Sequence, residues 1–503
     1  MVSSVKIENW KSFVDTGEVG LDKINVLVGR NNSGKSAFLR ALHLVQQGLA
    51  TFPSDVRLEA AQANVVVTFS GDDINQALER HYGLGLDSTE SASIEINVPG
   101  NAPIQRTLRS RGTNMAVGEI QASEPGNYIY TYLSKRKVNA FTETINLERT
   151  RAVEIDLRSL NAKVNRLVNP DYEKFDEYTA LCKKVLGFRV SSFASNNGHQ
   201  SGLPVGQFGN IPLEFMGEGV SSQLGLITNL CMANGNLFLI EEPENDIHPE
   251  SLKALLDVII EKSATNQFIV TTHSNIVLRY LGAVDHSRVF SVESEYVPNS
   301  IPTSTIREVE KTPEARIEVL RQLGYELADF DFWDGWLILE ESSAQIIMKY
   351  LIPWFVPRLA RIQMIAAGGV DKAEPMFEDF RRLFLFSHLE PQYKGRAWVV
   401  VDGDDAGKKV TERLKAIYTT YPADHFRTWQ ETDFERYYPA RFAEEADEAL
   451  KQSHSGKRKP KEDLIKKVRS WCDENPEEAQ AEFAESATEV IALLREIDSV
   501  LFD

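Results

Sequence analysis

Short apolar runs recur along the chain, and each stops abruptly at a glycine, an acid or a histidine. Ile24-Asn25-Val26-Leu27-Val28 runs into Gly29, Leu237-Phe238-Leu239-Ile240 into Glu241, and Gln267-Phe268-Ile269-Val270-Thr271-Thr272 into His273. Farther on, Trp336-Leu337-Ile338-Leu339 meets Glu340, and Ala397-Trp398-Val399-Val400-Val401 meets Asp402. Runs of this length without polar alternation predict strands buried on both faces, as in a parallel sheet. Between them Ala37–Leu42, Ser251–Ile260 and Ala344–Leu351 place apolar residues at helical spacing. Strands alternating with helices predict an α/β fold.

The pattern also suggests boundaries. One α/β unit spans about 1–300, a linker follows over 301–335, and a smaller unit with a parallel sheet and a C-terminal helical extension fills 336–503. Within the first unit, the stretch 135–190 is rich in Lys, Arg, Glu and Leu and reads as a helical insertion, for example over Val153–Leu160. It is too short for a long coiled-coil arm.

Composition narrows the classes. A chain of 503 residues exceeds what one core organises, and 42% hydrophobic with 25% charged residues is globular. No apolar stretch is long enough to cross a membrane. The start, Met1–Ile7, alternates like a strand rather than a signal peptide. Cys182, Cys231 and Cys472 match no zinc spacing, so a cytoplasmic protein with structural thiols is expected. A net charge of −18 argues against non-specific coating of nucleic acid, although local basic grooves remain compatible with it.

Candidate chemistry sits at the strand ends. Gly29-Arg30-Asn31-Asn32-Ser33-Gly34-Lys35-Ser36 follows a strand and opens a helix, the context of a phosphate-binding loop. Its glycines let backbone N–H groups of Asn31, Asn32, Ser33 and their neighbours turn toward phosphates, with the helix N-terminus behind them. Lys35 would reach the β- and γ-phosphates of ATP, and Ser36 would ligate Mg²⁺. Glu241 would take the metal-side role, Glu242 would polarise the attacking water, and His273 would reach the γ-phosphate edge. The plainer reading of Glu241-Glu242 is a strand end entering a solvated turn. Upstream, Met216–Gln223 opens an amphipathic helix whose Gly219 and Ser221 form a second anion-binding feature. It cannot easily serve the phosphate that Lys35 grips, which suggests action across a dimer interface.

This set resembles the ABC-type ATPase heads of the SMC, RecF and OLD group. In those families two heads sandwich two ATP molecules, and each signature loop completes the partner's site. The loop here, Gly217-Glu218-Gly219-Val220-Ser221-Ser222, departs from the transporter form.

In the second unit, Asp402-Gly403-Asp404-Asp405 ends one strand, Glu340-Glu341 another, and Asp433 and Glu435 follow a third strand-like stretch. Acids abutting apolar runs suit a hard divalent cation, because unpaired carboxylates would repel one another. The plainer alternative is solvated loops. The order of acids resembles the Toprim fold, and with the head it resembles an OLD-family ATP-dependent endonuclease over about residues 5–440. That resemblance implies that Glu340, Asp402, Asp404 and Glu435 hold one or two Mg²⁺, Mn²⁺ or Ca²⁺ ions for phosphodiester cleavage. It further implies DNA as substrate, a homodimer or larger oligomer, and service in antiviral defence beside an operon-encoded partner. Two departures stand out: Glu341 replaces a glycine of the family pattern, and Ala344 replaces its second acid. Either Glu341 or Asp405 supplies that ligand, or the second metal site is weak or absent. The basic stretch Lys457–Lys461 with Lys466 and Lys467 is either a solvated loop or a contact for the DNA backbone or the transition state. A sensor ATPase with a non-cleaving Toprim unit, and a DNA-bridging ATPase, are the rival readings.

Overall fold

The computed structural model describes residues 1–70, 79–82, 91–100, 102–110, 113–133, 142–196, 198–323, 334–367, 369–386, 393–451 and 458–502. The chain divides into two compact units, Met1–Tyr325 and Glu326–Asp503.

The first unit opens with β1 (Val2–Trp10), β2 (Phe13–Gly20), β3 (Ile24–Val28), β4 (Gln62–Ser70), β5 (Ser91–Pro99), β6 (Gln105–Ser110), β7 (Thr113–Ala116) and β8 (Ile129–Tyr132). After a small separate sheet of β9 (Ser191–Ser195), β10 (Gly198–Pro204) and β11 (Asn210–Pro212) come β12 (Leu237–Glu241), β13 (Gln267–Thr272), β14 (Ser287–Glu295) and β15 (Thr303–Glu308). The described strands form a twelve-stranded sheet in the order β7-β6-β5-β4-β1-β2-β15-β14-β3-β13-β12-β8.

Its two halves have different physics. From β14 to β8 neighbouring strands run parallel, and β3, β12 and β13 are buried at every residue. From β7 to β2 they are antiparallel, and β4 and β5 alternate between buried and half-exposed positions, so one face meets the core. A stacked aromatic ladder crosses the parallel half. Phe238 lies 5.1 Å from Tyr130 and 5.0 Å from Phe268, centroid to centroid, each in direct register with it.

Two expectations need correction. The stretch assigned to a linker over 301–335 instead supplies β15, paired antiparallel with β14, and the helix Pro313–Gln322. The cause is alternation: Ser304 and Ile306 point inward while their neighbours stay exposed or half-exposed. Val153–Leu160 is not a helix, because helix begins only at Leu160 and runs to Leu167. The preceding turn is held by Ser159 donating to Glu154 and by Asp156 accepting from the Arg158 N–H, local bonds that compete with helix. The insertion is also built into the unit, because the helix Phe175–Leu186 packs on the helices Glu218–Met232 and Pro249–Lys262. The part of that insertion over 135–141 lies outside the described residues.

The second unit carries β16 (Trp336–Leu339), β17 (Gln363–Ala366), β18 (Ala397–Val401) and β19 (Phe426–Thr428), all parallel, in the order β17-β16-β18-β19. The chain moves from β16 to one side and then to the other, so a switch point opens between β16 and β18. Leu337, Leu339, Trp398 and Val400 share a core with residues of the C-terminal helices Arg458–Glu474, Pro476–Ser486 and Thr488–Phe502. The helix expected over Ala344–Leu351 is interrupted. An α-helical turn over Glu341–Ile346 widens into a π-turn at Ile347–Leu351 just before Pro353, whose missing N–H leaves the regular ladder incomplete.

Phe238→Ala should lower the stability of the first unit by about 3–5 kcal/mol, because its ring is fully enclosed between two strands. Chemical denaturation followed by tryptophan fluorescence measures the change.

Candidate functional site

The carboxyl ends of β3, β12 and β13 lie side by side, and the loops that leave them converge. Gly29 follows β3 against the neighbouring β14, where a Cβ would come within 2.1 Å of the Val292 carbonyl oxygen. Gly34 adopts φ +111° and Asn32 φ +61°, so the loop turns through left-handed backbone before the helix Lys35–His43 begins. Gly29, Arg30, Asn31 and Ser33 line one wall of a cavity of about 370 Å³. The Ser33 hydroxyl is buried without a hydrogen-bond partner among the described residues.

Lys35 is 5% exposed. Its ammonium donates to the Gly29 carbonyl (2.8 Å) and the Arg30 carbonyl (2.9 Å), and lies 3.0 Å from His273 Nε2. Burial lowers its pKa to about 8, although Glu242, Glu241 and Glu244 all act in the opposite direction. Beside it the Ser36 hydroxyl donates to Glu241 Oε1, so the two residues expected to ligate Mg²⁺ meet. Glu242 sits at φ +48°, its Oε1 is 3.2 Å from His273 Nε2, and its Oε2 accepts from Asn245 (2.8 Å). Burial and then the Lys35 cation lower the His273 pKa.

Lys35, Ser36, Glu241, Glu242 and His273 are therefore gathered at one place, as their positions at strand ends suggested. Gly219 starts the helix Glu218–Met232 so close to the next loop that a Cβ would meet the Asp246 carbonyl oxygen at 1.9 Å. Ser221 is buried in that helix. Glu244 carried no role in the sequence reading, yet it holds the backbone that bears His273.

In the second unit Glu340 ends β16 and Asp402 ends β18, on either side of the switch point. The Asp402 N–H donates to Glu340 Oε1 (3.1 Å), while Asp402 Oδ1 is buried without a hydrogen-bond partner. Burial, and then the charge of Glu340, push the Asp402 pKa up to about 8. Burial raises Glu340 as well, with Asp404 adding to it and the Asp402 N–H opposing. Gly403 and Gly407 keep the turn tight, because a Cβ on either would strike a carbonyl oxygen at 2.3 and 2.0 Å.

The other acids do not join a cage. Asp404 Oδ1 accepts from the Gly407 N–H (2.7 Å) and caps the helix Asp405–Ile417. Glu435 is 1% exposed and paired to Lys461 (2.8 Å), which also meets Asp433 (2.9 Å). Burial works against the charge on Lys461, but these acids outweigh it and raise its pKa. Among the described residues no three acidic, histidine or cysteine side chains converge as a metal cage. Of the expected set, Glu340 and Asp402 meet through the Asp402 N–H, Asp404 gives Oδ1 to its helix cap, and Glu435 faces Lys461 while its Oε1 is buried without a hydrogen-bond partner among the described residues. The Glu341 side chain and Lys457 lie outside the described residues. Lys461 was only one lysine of a basic stretch in the sequence, and its place at the acids becomes visible only in three dimensions.

Residues 24–279 match a family described as "AAA domain, putative AbiEii toxin, Type IV TA system". An ATP/GTP phosphatase of Helicobacter pylori (strain ATCC 700392 / 26695) is 22% identical over 352 residues, covering 59% of this chain and 91% of the relative. A crystal structure of an Smc head bound to the C-winged helix domain of ScpA is 16% identical and covers 61% of this chain and 98% of its own, with a TM-score of 0.45. An Smc head domain with an extended coiled coil, bound to the C-terminal domain of ScpA derived from Pyrococcus furiosus, is 13% identical, covers 64% and 99%, and has a TM-score of 0.44. Among the described residues no helix is long and apolar enough to cross a membrane.

The buried acid pair makes a prediction in the presence of EDTA. Asp402 binds its proton more tightly folded (about 8) than unfolded (3.8), so its contribution to stability is full below pH 4 and fades as pH rises through 8. Asp402→Asn should match the native stability near pH 4 and exceed it above pH 8, read from denaturant midpoints across that range.

Proposed function

The chain belongs to the AAA-domain family that covers its residues 24–279, an assignment to nucleotide-binding ATPases, and from this premise we propose that ATP hydrolysis in the first unit governs nucleic-acid cleavage in the second. The observation that carries the first half is the convergence of Lys35, Ser36, Glu241, Glu242 and His273. Lys35 grips the β- and γ-phosphates, and its partly desolvated ammonium gains most when an anion restores its charge partner. Ser36 and Glu241 supply a hydroxyl and a carboxylate, hard oxygen donors of the kind that hold Mg²⁺ beside phosphates. Glu242 accepts the proton of the attacking water, and His273, between Glu242 and Lys35, steadies the γ-phosphate edge. The name of the Helicobacter relative supports GTP as a further substrate.

The second half rests on the Glu340–Asp402 pair with Lys461 and Glu435 beside it. Mg²⁺ commonly binds through one or two carboxylates plus substrate phosphates, so two acids and an unpartnered Asp402 oxygen suffice as a seat. A divalent cation there would activate water and stabilise the leaving oxygen. Lys461 pairs with Glu435 and its charge acts on Asp402 and Glu340, so it would help to neutralise a phosphodiester carried to those acids. The resemblance to OLD nucleases supports DNA as the substrate, assembly of copies through the heads, and a role in defence against phage with an operon-encoded partner. The engagement of Asp404 and Glu435, together with Ala344, favours a second reading in which the unit binds but does not cleave.

Lys35→Ala should abolish ATP binding, whereas Glu242→Gln should bind ATP and lose about 10²–10⁴-fold in turnover. Purified chain with Mg²⁺ or Mn²⁺ should nick plasmid DNA, and Asp402→Ala should stop nicking while leaving ATP turnover in place. No nicking with any divalent metal would leave the non-cleaving reading standing.

A further inference from the structure

In the loop after β12, Glu244 reaches the backbone of the loop that follows the neighbouring strand β13. Its Oε1 accepts three hydrogen bonds, from Thr272 Oγ1 (2.7 Å), the His273 N–H (2.8 Å) and the Ser274 N–H (3.1 Å). Ser274 is the N-cap of the helix Asn275–Gly282, so the carboxylate also occupies the positive end of that helix. Its second oxygen is buried without a hydrogen-bond partner among the described residues, so a single oxygen does the holding. The main chain ties the same two loops together, because the Glu242 N–H donates to the Thr271 carbonyl (2.9 Å). Between the two ties stands Pro243, whose ring fixes φ and limits play.

We propose that Glu244 is a positioning residue of the nucleotide site: it clamps the turn Thr272–Ser274 so that the His273 ring stands between Lys35 and Glu242. The role rests on the ATPase reading and deepens it. His273 Nε2 lies 3.0 Å from Lys35 Nζ and 3.2 Å from Glu242 Oε1, and among the described residues no other carboxylate supports its backbone N–H. A turn released from Glu244 leaves the His273 N–H and the Thr272 hydroxyl proton to find water, and the ring loses its fixed height above the phosphate loop. A glutamine keeps the accepting oxygen and removes the charge, so it separates hydrogen-bond geometry from the carboxylate's field.

The test uses the full chain with Glu244→Ala and Glu244→Gln, thermal melting serving to check that each folds. Steady-state ATP hydrolysis should show kcat down about tenfold or more in Glu244→Ala with KM within about threefold, and kcat near the native value in Glu244→Gln. In protein labelled at histidine, the His273 ring signals, assigned with His273→Asn, should move in Glu244→Ala and stay in Glu244→Gln without any nucleotide. The ring signals decide the positioning role even if the native chain turns over no ATP, an outcome that would sink the ATPase reading alone. Unmoved His273 signals in Glu244→Ala, or equal loss of kcat in both variants, overturn the proposal. Should Glu244→Ala not fold, Thr272→Val removes one donor to Glu244, and unmoved ring signals there overturn it equally.

Discussion

A buried ammonium at the end of β3 is the constraint on which the first unit's site depends. Lys35 has given up most of its water for two backbone carbonyls and an imidazole nitrogen, none of which carries a negative charge. Burial draws its pKa down to about 8, and only the field of Glu242, Glu241 and Glu244 keeps it from falling further. A cation held this way is stable in place but poorly compensated, and an incoming polyphosphate supplies what is missing. Left-handed backbone at Asn32 and Gly34 turns the loop into the helix that Lys35 opens, and at Glu242 it turns the chain out of β12.

The second unit inverts the problem with the same architecture. Its parallel sheet again gathers charged residues at carboxyl ends, but the surplus is acidic, and Lys461 is the cation set against it. Burial, and then the charge of neighbouring acids, makes Asp402 and Glu340 hold protons more tightly than isolated carboxylates do. Each unit thus places a buried charge with a displaced pKa at its strand ends, a lysine in the first and an aspartate in the second.

Much of this was legible in the sequence, for reasons that are local. Strands such as Leu237–Glu241 announce themselves by unbroken apolar runs, and a catalytic residue at a strand end needs no long-range knowledge to be suspected. Gly29–Ser36, Glu241, Glu242, His273, Glu340 and Asp402 were all visible on that basis. Roles that depend on a partner distant in the chain were not. Glu244 looks like its neighbours until the Thr272–Ser274 backbone is placed against it, and the helix cap of Asp404 shows only once the Gly407 N–H lies at its Oδ1. Likewise β15 hid in an expected linker, since six residues of modest alternation become a strand only when β14 lies beside them.

The central claim is that the Lys35 ammonium is a partly desolvated phosphate receptor. Calorimetry of ATP binding at about pH 8.5, in two buffers of different ionisation enthalpy, measures it most directly, since that pH lies just above the Lys35 value of about 8. Binding should take up a substantial fraction of a proton, as phosphate raises the lysine's pKa, and the uptake should vanish near pH 7, where Lys35 is already charged. Binding that leaves the proton count at zero at both pH values would contradict the account, as would the absence of binding.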